Sequence, residues 1–174
     1  MVTLTLFQDT PWQVGYASSN GGVFKNHNYI VMPLSQTDSE DLELFKKLIT
    51  AMGFTRIVET DARIHDHKIA FTSQLCHVIA SALVDSAEDT EVTAFGGGSF
   101  EDLTRIAMIN APLWTELFLS NKTELLSYIE KFQESLETLK REIETYNSDA
   151  IKSYLEDVRK KRIAMSRLDT KKFS

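Results

Sequence analysis

The feature that most constrains the fold of this chain is an apolar seam with helical spacing in its C-terminal third. Apolar side chains recur there at alternating separations of four and three residues, at Leu125, Ile129, Phe132, Leu136, Leu139, Ile143 and Tyr146. This spacing places one apolar stripe along a helix for about three heptads, or roughly 30 Å. Such a stripe needs a partner helix, which either this chain or a second copy in a dimer must supply.

Helical patterns also lie on both sides of this seam. Asn147–Asp149 is predicted to break the seam helix, and a last helix follows whose basic end we interpret as a solvated face. Upstream, apolar residues at helical spacing predict a long helix from Asp61 to about Ser86, which carries both His65 and His77. The chain from residue 61 onward is therefore predicted to be helical.

The residues before position 61 show a different pattern. Short apolar runs at residues 2–7, 28–32 and 54–59 predict strands. A helix capped at Thr37–Ser39 and ended by Gly53 is predicted between the last two. This strand–helix–strand unit has too few strands for a doubly wound sheet. The fold class predicted is mainly α, with a small β-α-β unit at the start.

Composition and charge argue against several classes of protein. A net charge of −6 argues against nucleic acid or an anionic membrane as a partner. No apolar run approaches the roughly 20 residues that a membrane span needs. Cys76 is the only cysteine, which excludes an internal disulfide, indicates a cytoplasmic location and favours a packed thiol. The histidines lack metal-site spacing, so no metal is expected.

Three consecutive glycines, Gly96–Gly98, predict a tight loop directly before a helix. Ser99 is the predicted N-cap, Asp102 completes a capping box, and Arg105 lies one turn into the helix. The segment Asn110–Pro112 is predicted to end this helix. A glycine loop, a helix N-terminus and an early arginine together suit an anion. The alternative is a capped surface helix in which Asp102 and Arg105 form only a solvated ion pair.

Two motifs in this chain resemble those of a known family. The run GGGSFEDLTRIA at residues 96–107, followed by NAPLW at 110–114, is similar to a signature of the helical C-terminal domain of the prephenate dehydrogenase family. The run HDHKIAFTSQLCH at residues 65–77 resembles the other motif of that domain. The resemblance implies oxidative decarboxylation of prephenate to 4-hydroxyphenylpyruvate with a nicotinamide cofactor, on the route to tyrosine.

The resemblance also implies which residues bind the substrate. Arg105 would receive a carboxylate of prephenate through its guanidinium fork, and Asp102 would hold that fork in place. Gly98 would let the backbone approach the ligand. Trp114 would line the ring side of the pocket.

On the other side of the implied pocket stands His77, with Ser73 one turn before it on the same helix. The hydroxyl of Ser73 would orient the imidazole or touch the ligand. The alternative for His77 is a core histidine that is satisfied by a backbone carbonyl. The family often shows Ser-His-Leu-Pro-His where this chain has SQLCH, so a role for position 74 stays open.

The resemblance further implies a division into domains. The run at residues 15–33 resembles the end of the family's nucleotide-binding domain. Residues 1–60 are therefore predicted to be a remnant of that domain, with an unrelated leader at about 1–12. Residues 61–174 are predicted to form the substrate-binding and dimerisation domain.

A complete enzyme of this family needs parts that this sequence does not show. The fingerprint G-x-G-x-x-G is absent, and Leu6 stands where the family's catalytic histidine is expected. The chain is thus predicted to be a truncated form, inactive alone, with no catalytic or cofactor-binding residue. NAD or NADP would serve the parent enzyme, and neither is expected to bind this chain tightly.

The implied partners are a second copy, through the helical domain, and prephenate, 4-hydroxyphenylpyruvate or tyrosine as ligand. Three alternatives stay open. One is an enzyme split over two chains, in which a partner supplies the cofactor domain. Another is a non-enzymatic helical module that dimerises or binds a ligand. The last is a fragment of an arogenate-specific dehydrogenase.

Overall fold

The computed structural model describes residues 2–3, 21–25 and 27–170, which form two compact units, Met1–Ile69 and Ala70–Ser174. The predicted leader, Leu6 and most of the predicted first strand lie outside the described residues. The elements of the first unit are β1 (Val2–Thr3), a 3-10 turn (Gly21–Phe24), β2 (Asn28–Val31), α1 (Ser39–Ala51), β3 (Arg56–Glu59) and α2 (Ala62–Ile69).

The sheet of the first unit has the strand order β1-β2-β3, in which β1 is antiparallel to β2 and β2 is parallel to β3. Helix α1 connects the two parallel strands, as the sequence predicts. It begins after Asp38, whose carboxylate caps the first turn, and is followed by Gly53 at a φ of 101°. The core between helix and sheet is apolar and consists of Tyr29, Val31, Ile49 and Phe54.

The second unit is helical. Its elements are a π turn (Ala70–Gln74), α3 (Leu75–Asp85), a 3-10 turn (Glu91–Phe95), α4 (Gly98–Thr104), a 3-10 turn (Arg105–Ala107), α5 (Ala111–Ser120), α6 (Lys122–Glu144) and α7 (Ser148–Thr170). The prediction of a mainly α chain with a small β-α-β unit is confirmed. None of the helices in the described part of the chain could cross a membrane.

The predicted helix over residues 61–86 is present as α2, the π turn and α3 in succession. The π turn was not predicted, because apolar periodicity does not reveal where one extra residue enters a helical turn. The seam helix is also present, as α6. Its seam ends at Ile143 rather than Tyr146, since the helix stops at Glu144.

Two predicted helix boundaries near the glycines are wrong. Gly97 is the N-cap of α4, so Ser99 is already inside the helix and no side chain caps this end. Asn110 does not end a helix but begins α5, because its side chain accepts a hydrogen bond from the Leu113 amide at 3.2 Å. Pro112 fits the first turn of α5, where its missing N–H is not needed.

The placement of Arg105 differs as well. It caps the C-terminal end of the seven-residue α4 and starts the 3-10 turn that follows, instead of lying one turn into a long helix. Gly98 and Arg105 are thus at opposite ends of α4. The predicted anion site, made by one helix N-terminus together with an early arginine, is therefore not formed in this way.

The turn between α6 and α7 contains a strained residue. Tyr146 has a φ of 52°, and its side chain is 92% exposed. The Tyr146 and Asn147 amides donate to the carbonyls of Ile143 and Glu142, which is the hydrogen-bond pattern of a Schellman motif. Glycine is the usual residue at this left-handed position, because a side chain there costs about 1–2 kcal/mol.

Tyr146→Gly is therefore expected to raise the free energy of unfolding by about 1 kcal/mol, since the exposed ring gives up little packing. Urea denaturation measures the change. Tyr146→Ala is the matched control, because it removes the ring but keeps the strained Cβ, and its stability should stay within about 0.5 kcal/mol of the wild type. An equal gain in both variants would show that the ring, rather than the backbone, is unfavourable.

Candidate functional site

The candidate site is built around the π turn and the start of α3. Ala70 and Gln74, the first and last residues of the π turn, are both buried. The turn therefore has two anchor points in the interior of the helical unit. Isolated π turns within α-helices occur frequently at functional sites. His77 follows one turn later, on the first turn of α3.

The imidazole of His77 is held by the backbone of a distant segment. Its Nδ1 lies 3.1 Å from the carbonyl oxygen of Ile106. A carbonyl only accepts, so Nδ1 carries the proton and donates. In the neutral ring Nε2 then keeps its lone pair for another partner. Burial lowers the pKa of His77 below its ordinary value, and the bond to Ile106 offsets this only in part.

Trp114 on α5 covers the same imidazole. The ring centroids of His77 and Trp114 are 3.6 Å apart, with 40° between the ring planes. Phe118, one turn further along α5, lies 5.5 Å from Trp114 by ring centroids. Both His77 and Trp114 are half-buried. The fold thus brings together two side chains that are 37 positions apart in the sequence.

The carboxylate-binding residues implied by the sequence lie next to this pair along the chain. Ile106, which accepts from His77, directly follows Arg105 in the 3-10 turn. The bond to His77 therefore fixes the turn that carries Arg105. Arg105 and Asp102 are exposed, whereas Ser73 is half-buried in the π turn. Their roles in ligand binding stay predictions.

The three glycines have different structural roles. A Cβ on Gly96 would lie 2.9 Å from Phe100 Cδ1 and 3.2 Å from the Thr93 carbonyl oxygen, so a larger residue here would have to displace one of these neighbours. A Cβ on Gly98 would meet no described atom within 4 Å. The same holds for Gly97, so the described packing explains neither glycine, and the role of Gly98 in ligand binding stays a prediction.

The alternative prediction for His77 was a core histidine that bonds to a backbone carbonyl. It is correct for Nδ1, which donates to Ile106. It does not exclude a ligand, because the ring is only half-buried and Nε2 is the nitrogen left with a lone pair. Sequence reasoning missed the acceptor, Ile106, since a backbone carbonyl leaves no signal in the residue type. It also left position 74 open, where Gln74 is buried and makes two hydrogen bonds.

Cys76 is exposed, so the prediction of a packed thiol is wrong. The thiol lies 3.8 Å from the Phe71 carbonyl and 3.7 Å from the Thr72 carbonyl, which are weak contacts along its own helix. Partial burial nevertheless raises its pKa, which disfavours the thiolate. A surface thiol whose described contacts are two carbonyls and whose pKa is raised is not activated as a nucleophile.

The remaining histidines give no metal site. Within the described ranges, no group of three His, Cys, Asp or Glu side chains could hold a metal ion. His65, on the first turn of α2, places Nδ1 2.9 Å from Asp66 Oδ1. Its Nε2 is buried and has no hydrogen-bond partner among the described residues.

Among the described residues of the first unit, the start of α1 does not fit the pyrophosphate of a nicotinamide dinucleotide. Binding its pyrophosphate would require free amides at the helix N-terminus that follows a strand. At the start of α1 the Asp38 carboxylate already accepts from the amides of Glu40 at 2.7 Å and Asp41 at 3.4 Å. Glu40 and Asp41 add two acidic side chains to this first turn. An anionic pyrophosphate would be repelled here.

The lowered pKa of His77 has a consequence for stability. Protonation is less favourable in the folded protein than in the unfolded chain, so the unfolded state binds more protons as the pH falls. The contribution of His77 to stability is therefore complete above its ordinary pKa of 6.5 and is lost as the pH falls below that value. Urea denaturation between about pH 8 and pH 5 should show this loss.

His77→Gln is the control for this pH dependence, since glutamine does not titrate. The difference in unfolding free energy between wild type and His77→Gln should shrink as the pH falls below 6.5. A difference that is constant or grows over this range would contradict the lowered pKa.

The helical unit thus holds a histidine under a tryptophan, next to a turn that bears an arginine. The family profile described as "Prephenate dehydrogenase, dimerization domain" matches residues 61–157. The chain therefore belongs to the prephenate dehydrogenase family, and the resemblance of its two motifs is confirmed.

Individual relatives agree with this assignment. Over 156 residues the chain is 31% identical to a prephenate dehydrogenase of Lactococcus lactis subsp. cremoris, in a match that covers 87% of this chain and 42% of that protein. Over 149 residues it is 29% identical to a cyclohexadienyl dehydrogenase of Zymomonas mobilis. That match covers 82% of this chain and 50% of the relative. The chain thus spans half or less of the length of these relatives.

A solved structure shows the same fold. The prephenate dehydrogenase of Aquifex aeolicus, in complex with hydroxyphenyl propionate and NAD+, matches with a TM-score of 0.72 and 30% identity. The match covers 83% of this chain and 52% of that one. The architecture of the described units is therefore shared with the corresponding half of that enzyme.

Proposed function

We propose that this chain is the substrate-binding and dimerisation part of a prephenate dehydrogenase, the enzyme that converts prephenate to 4-hydroxyphenylpyruvate for tyrosine synthesis. The observation that carries the proposal is the His77–Trp114 pair, which the Ile106 carbonyl ties to the turn bearing Arg105. The Aquifex aeolicus relative binds hydroxyphenyl propionate, a phenolic ring with a carboxylate, and this supports a ligand of the same chemistry here.

The chemistry of each group fits such a ligand. Trp114 offers an aromatic face for a ring, and Arg105 offers a planar fork for a carboxylate. His77 keeps Nε2 as a hydrogen-bonding atom, because Ile106 engages Nδ1. We assign Ser73 to the side of the imidazole, Asp102 to the support of the Arg105 guanidinium, and Gly98 to the close approach of the backbone to the ligand.

We further propose that this chain binds the ligand without oxidising it. The decarboxylation transfers a hydride to the nicotinamide, and in the parent enzyme NAD or NADP supplies that chemistry. The sequence contains no G-x-G-x-x-G, and at the start of α1 the Asp38 carboxylate already occupies two of the amides that an anion would need. The first unit is in this view a remnant of the cofactor domain.

Calorimetric titration of the chain with hydroxyphenylpropionate and with prephenate tests the proposal. We expect binding of both ligands in the micromolar to millimolar range. We also expect no NADH absorbance after prephenate and NAD are added together. Absence of binding at millimolar ligand would contradict the proposed ligand site. Formation of NADH would contradict the proposal that this chain does not oxidise the ligand.

We propose in addition that the chain forms a homodimer through α6 and α7. These helices contact each other, yet large apolar side chains on both remain about half exposed: Leu136, Ile143, Leu155 and Val158. An open groove of about 470 Å³ also runs along α7, lined by Ser148, Ile151, Lys152, Leu155, Glu156 and Arg159. Apolar surface of this extent on a helical hairpin indicates a protein interface.

The match to a dimerisation domain supports a second copy as the occupant of this surface, since it extends to residue 157 in α7. Light scattering coupled to size exclusion tests the proposal. We expect the mass of two chains, against 19.8 kDa for one. A monomer at tens of micromolar protein would contradict it.

A further inference from the structure

Among the described residues of the helical unit, Gln74 is the buried polar one, with 5% of its surface exposed. It is the last residue of the π turn. Its Nε2 donates to the Leu117 carbonyl on α5 at 2.9 Å, and its Oε1 accepts from Asn121 Nδ2 at 2.9 Å. Both ends of the carboxamide are therefore engaged, by residues 43 and 47 positions away.

These bonds are one of two links between the segment that carries Gln74 and His77 and helix α5. Gln74 and His77 are three positions apart, and so are Trp114 and Leu117. Residues at this spacing lie on the same face of a helix. Gln74 reaches Leu117 and His77 reaches Trp114, so the two segments run in opposite directions with one polar and one aromatic link.

The polar link also binds the junction after α5. Leu117 is in the last turn of α5, where carbonyls lack an intrahelical backbone partner, and its carbonyl accepts from Ser120 Oγ at 3.0 Å as well as from Gln74. Asn121 is the residue between α5 and α6, and its side chain makes no cap bond to its own helix. Gln74 thus holds the end of α5 and the start of α6 at once, which fixes the position of α5 along the helix that carries His77.

We infer that Gln74 is a positioning residue of the ligand site, which keeps Trp114 stacked on the imidazole of His77 through its bonds to Leu117 and Asn121. The link to ligand binding rests on the proposed function, whereas the link to the His77–Trp114 stack does not. A buried amide that served stability alone would leave the stack unchanged when replaced by an apolar side chain of similar size.

The fluorescence of Trp114 reports on the stack directly, in a Trp12→Phe background that leaves one tryptophan. An imidazolium in contact with an indole ring quenches its emission, so the emission should fall as the pH falls through the pKa of His77. That pKa is lowered by burial in the intact site. In Gln74→Met we expect a quenching step at least halved in size, with its midpoint moved toward 6.5.

Two further variants make the experiment decisive. Gln133→Met makes the same substitution at an exposed position of α6, and its quenching step should match that of the parent. Asn121→Ala removes one of the two bonds and retains the Gln74 side chain, which covers the case in which Gln74→Met does not fold. It should reduce the quenching step in the same direction. An unchanged step in the folded Gln74 or Asn121 variants would overturn the inference.

Calorimetry with hydroxyphenylpropionate then separates this inference from the proposed function. We expect an affinity about tenfold weaker in Gln74→Met and unchanged in Gln133→Met. If the wild type binds no ligand, the proposed function fails, and the fluorescence still tests the positioning role. If the wild type binds and Gln74→Met binds equally well, the positioning role in ligand binding is wrong.

Discussion

Replacing Arg105 by alanine is expected to weaken the binding of hydroxyphenylpropionate by about thirtyfold, or ~2 kcal/mol. A guanidinium forms two parallel hydrogen bonds with a carboxylate, and these are lost in the variant. The Ile106 carbonyl, bonded to His77, fixes the turn that carries Arg105, so little ordering of the backbone is required on binding. Calorimetric titration measures the affinity, and a thermal melt checks that the variant folds.

Two control variants separate the effect of the bidentate hydrogen bonds of Arg105 from the effect of its positive charge. Arg105→Lys retains the positive charge but cannot form the bidentate contact, so its affinity should lie between those of the wild type and the alanine variant. Arg63→Ala removes an exposed arginine of α2 to which the proposal gives no role, and should leave the affinity unchanged. Equal affinity in Arg105→Ala and wild type would remove Arg105 from the site.

Leu155→Glu is expected to convert the proposed dimer into a monomer. Leu155 is 52% exposed in the single chain and lines the groove along α7. If a second copy covers it, the new carboxylate becomes a buried charge without a partner, which costs about 3 kcal/mol or more. The dissociation constant should therefore rise by at least about a hundredfold, which sedimentation or light scattering over a dilution series measures.

Leu44→Glu is the matched control for this prediction. Leu44 is 67% exposed on α1, in the first unit, and receives the same change of side chain. Its variant should remain a dimer with an unchanged dissociation constant. Dissociation of both variants would indicate a general effect of added charge, and persistence of the Leu155→Glu dimer would place the interface elsewhere.

Local patterns in the sequence predicted the longer helices well. The spacing of apolar residues correctly predicted α6 and the helix over residues 61–86, since one face of each helix packs against another element. The helix between the two parallel strands was also predicted with its ends, because Asp38 and Gly53 have strong and unambiguous preferences at helix termini.

Predictions failed where neighbouring residues compete for the same role. Gly97 and Ser99 are both acceptable N-caps, and the chain uses Gly97, so the capping box is not formed. Asn110 can end one helix or begin the next, and its bond to the Leu113 amide decides for the second. Tyr146 continues the apolar spacing of the seam, but the chain turns before it.

The sequence by itself determined the main helices and the family, and it supplied the candidate residues for a ligand site. These properties depend on neighbours a few positions apart, or on motifs that can be compared directly. Only the tertiary structure decided that Ile106 binds His77, that Trp114 covers it and that Gln74 joins α5 to the π turn. Such contacts link residues 29 to 43 positions apart, and they depend on how whole helices pack, which residue spacing does not specify.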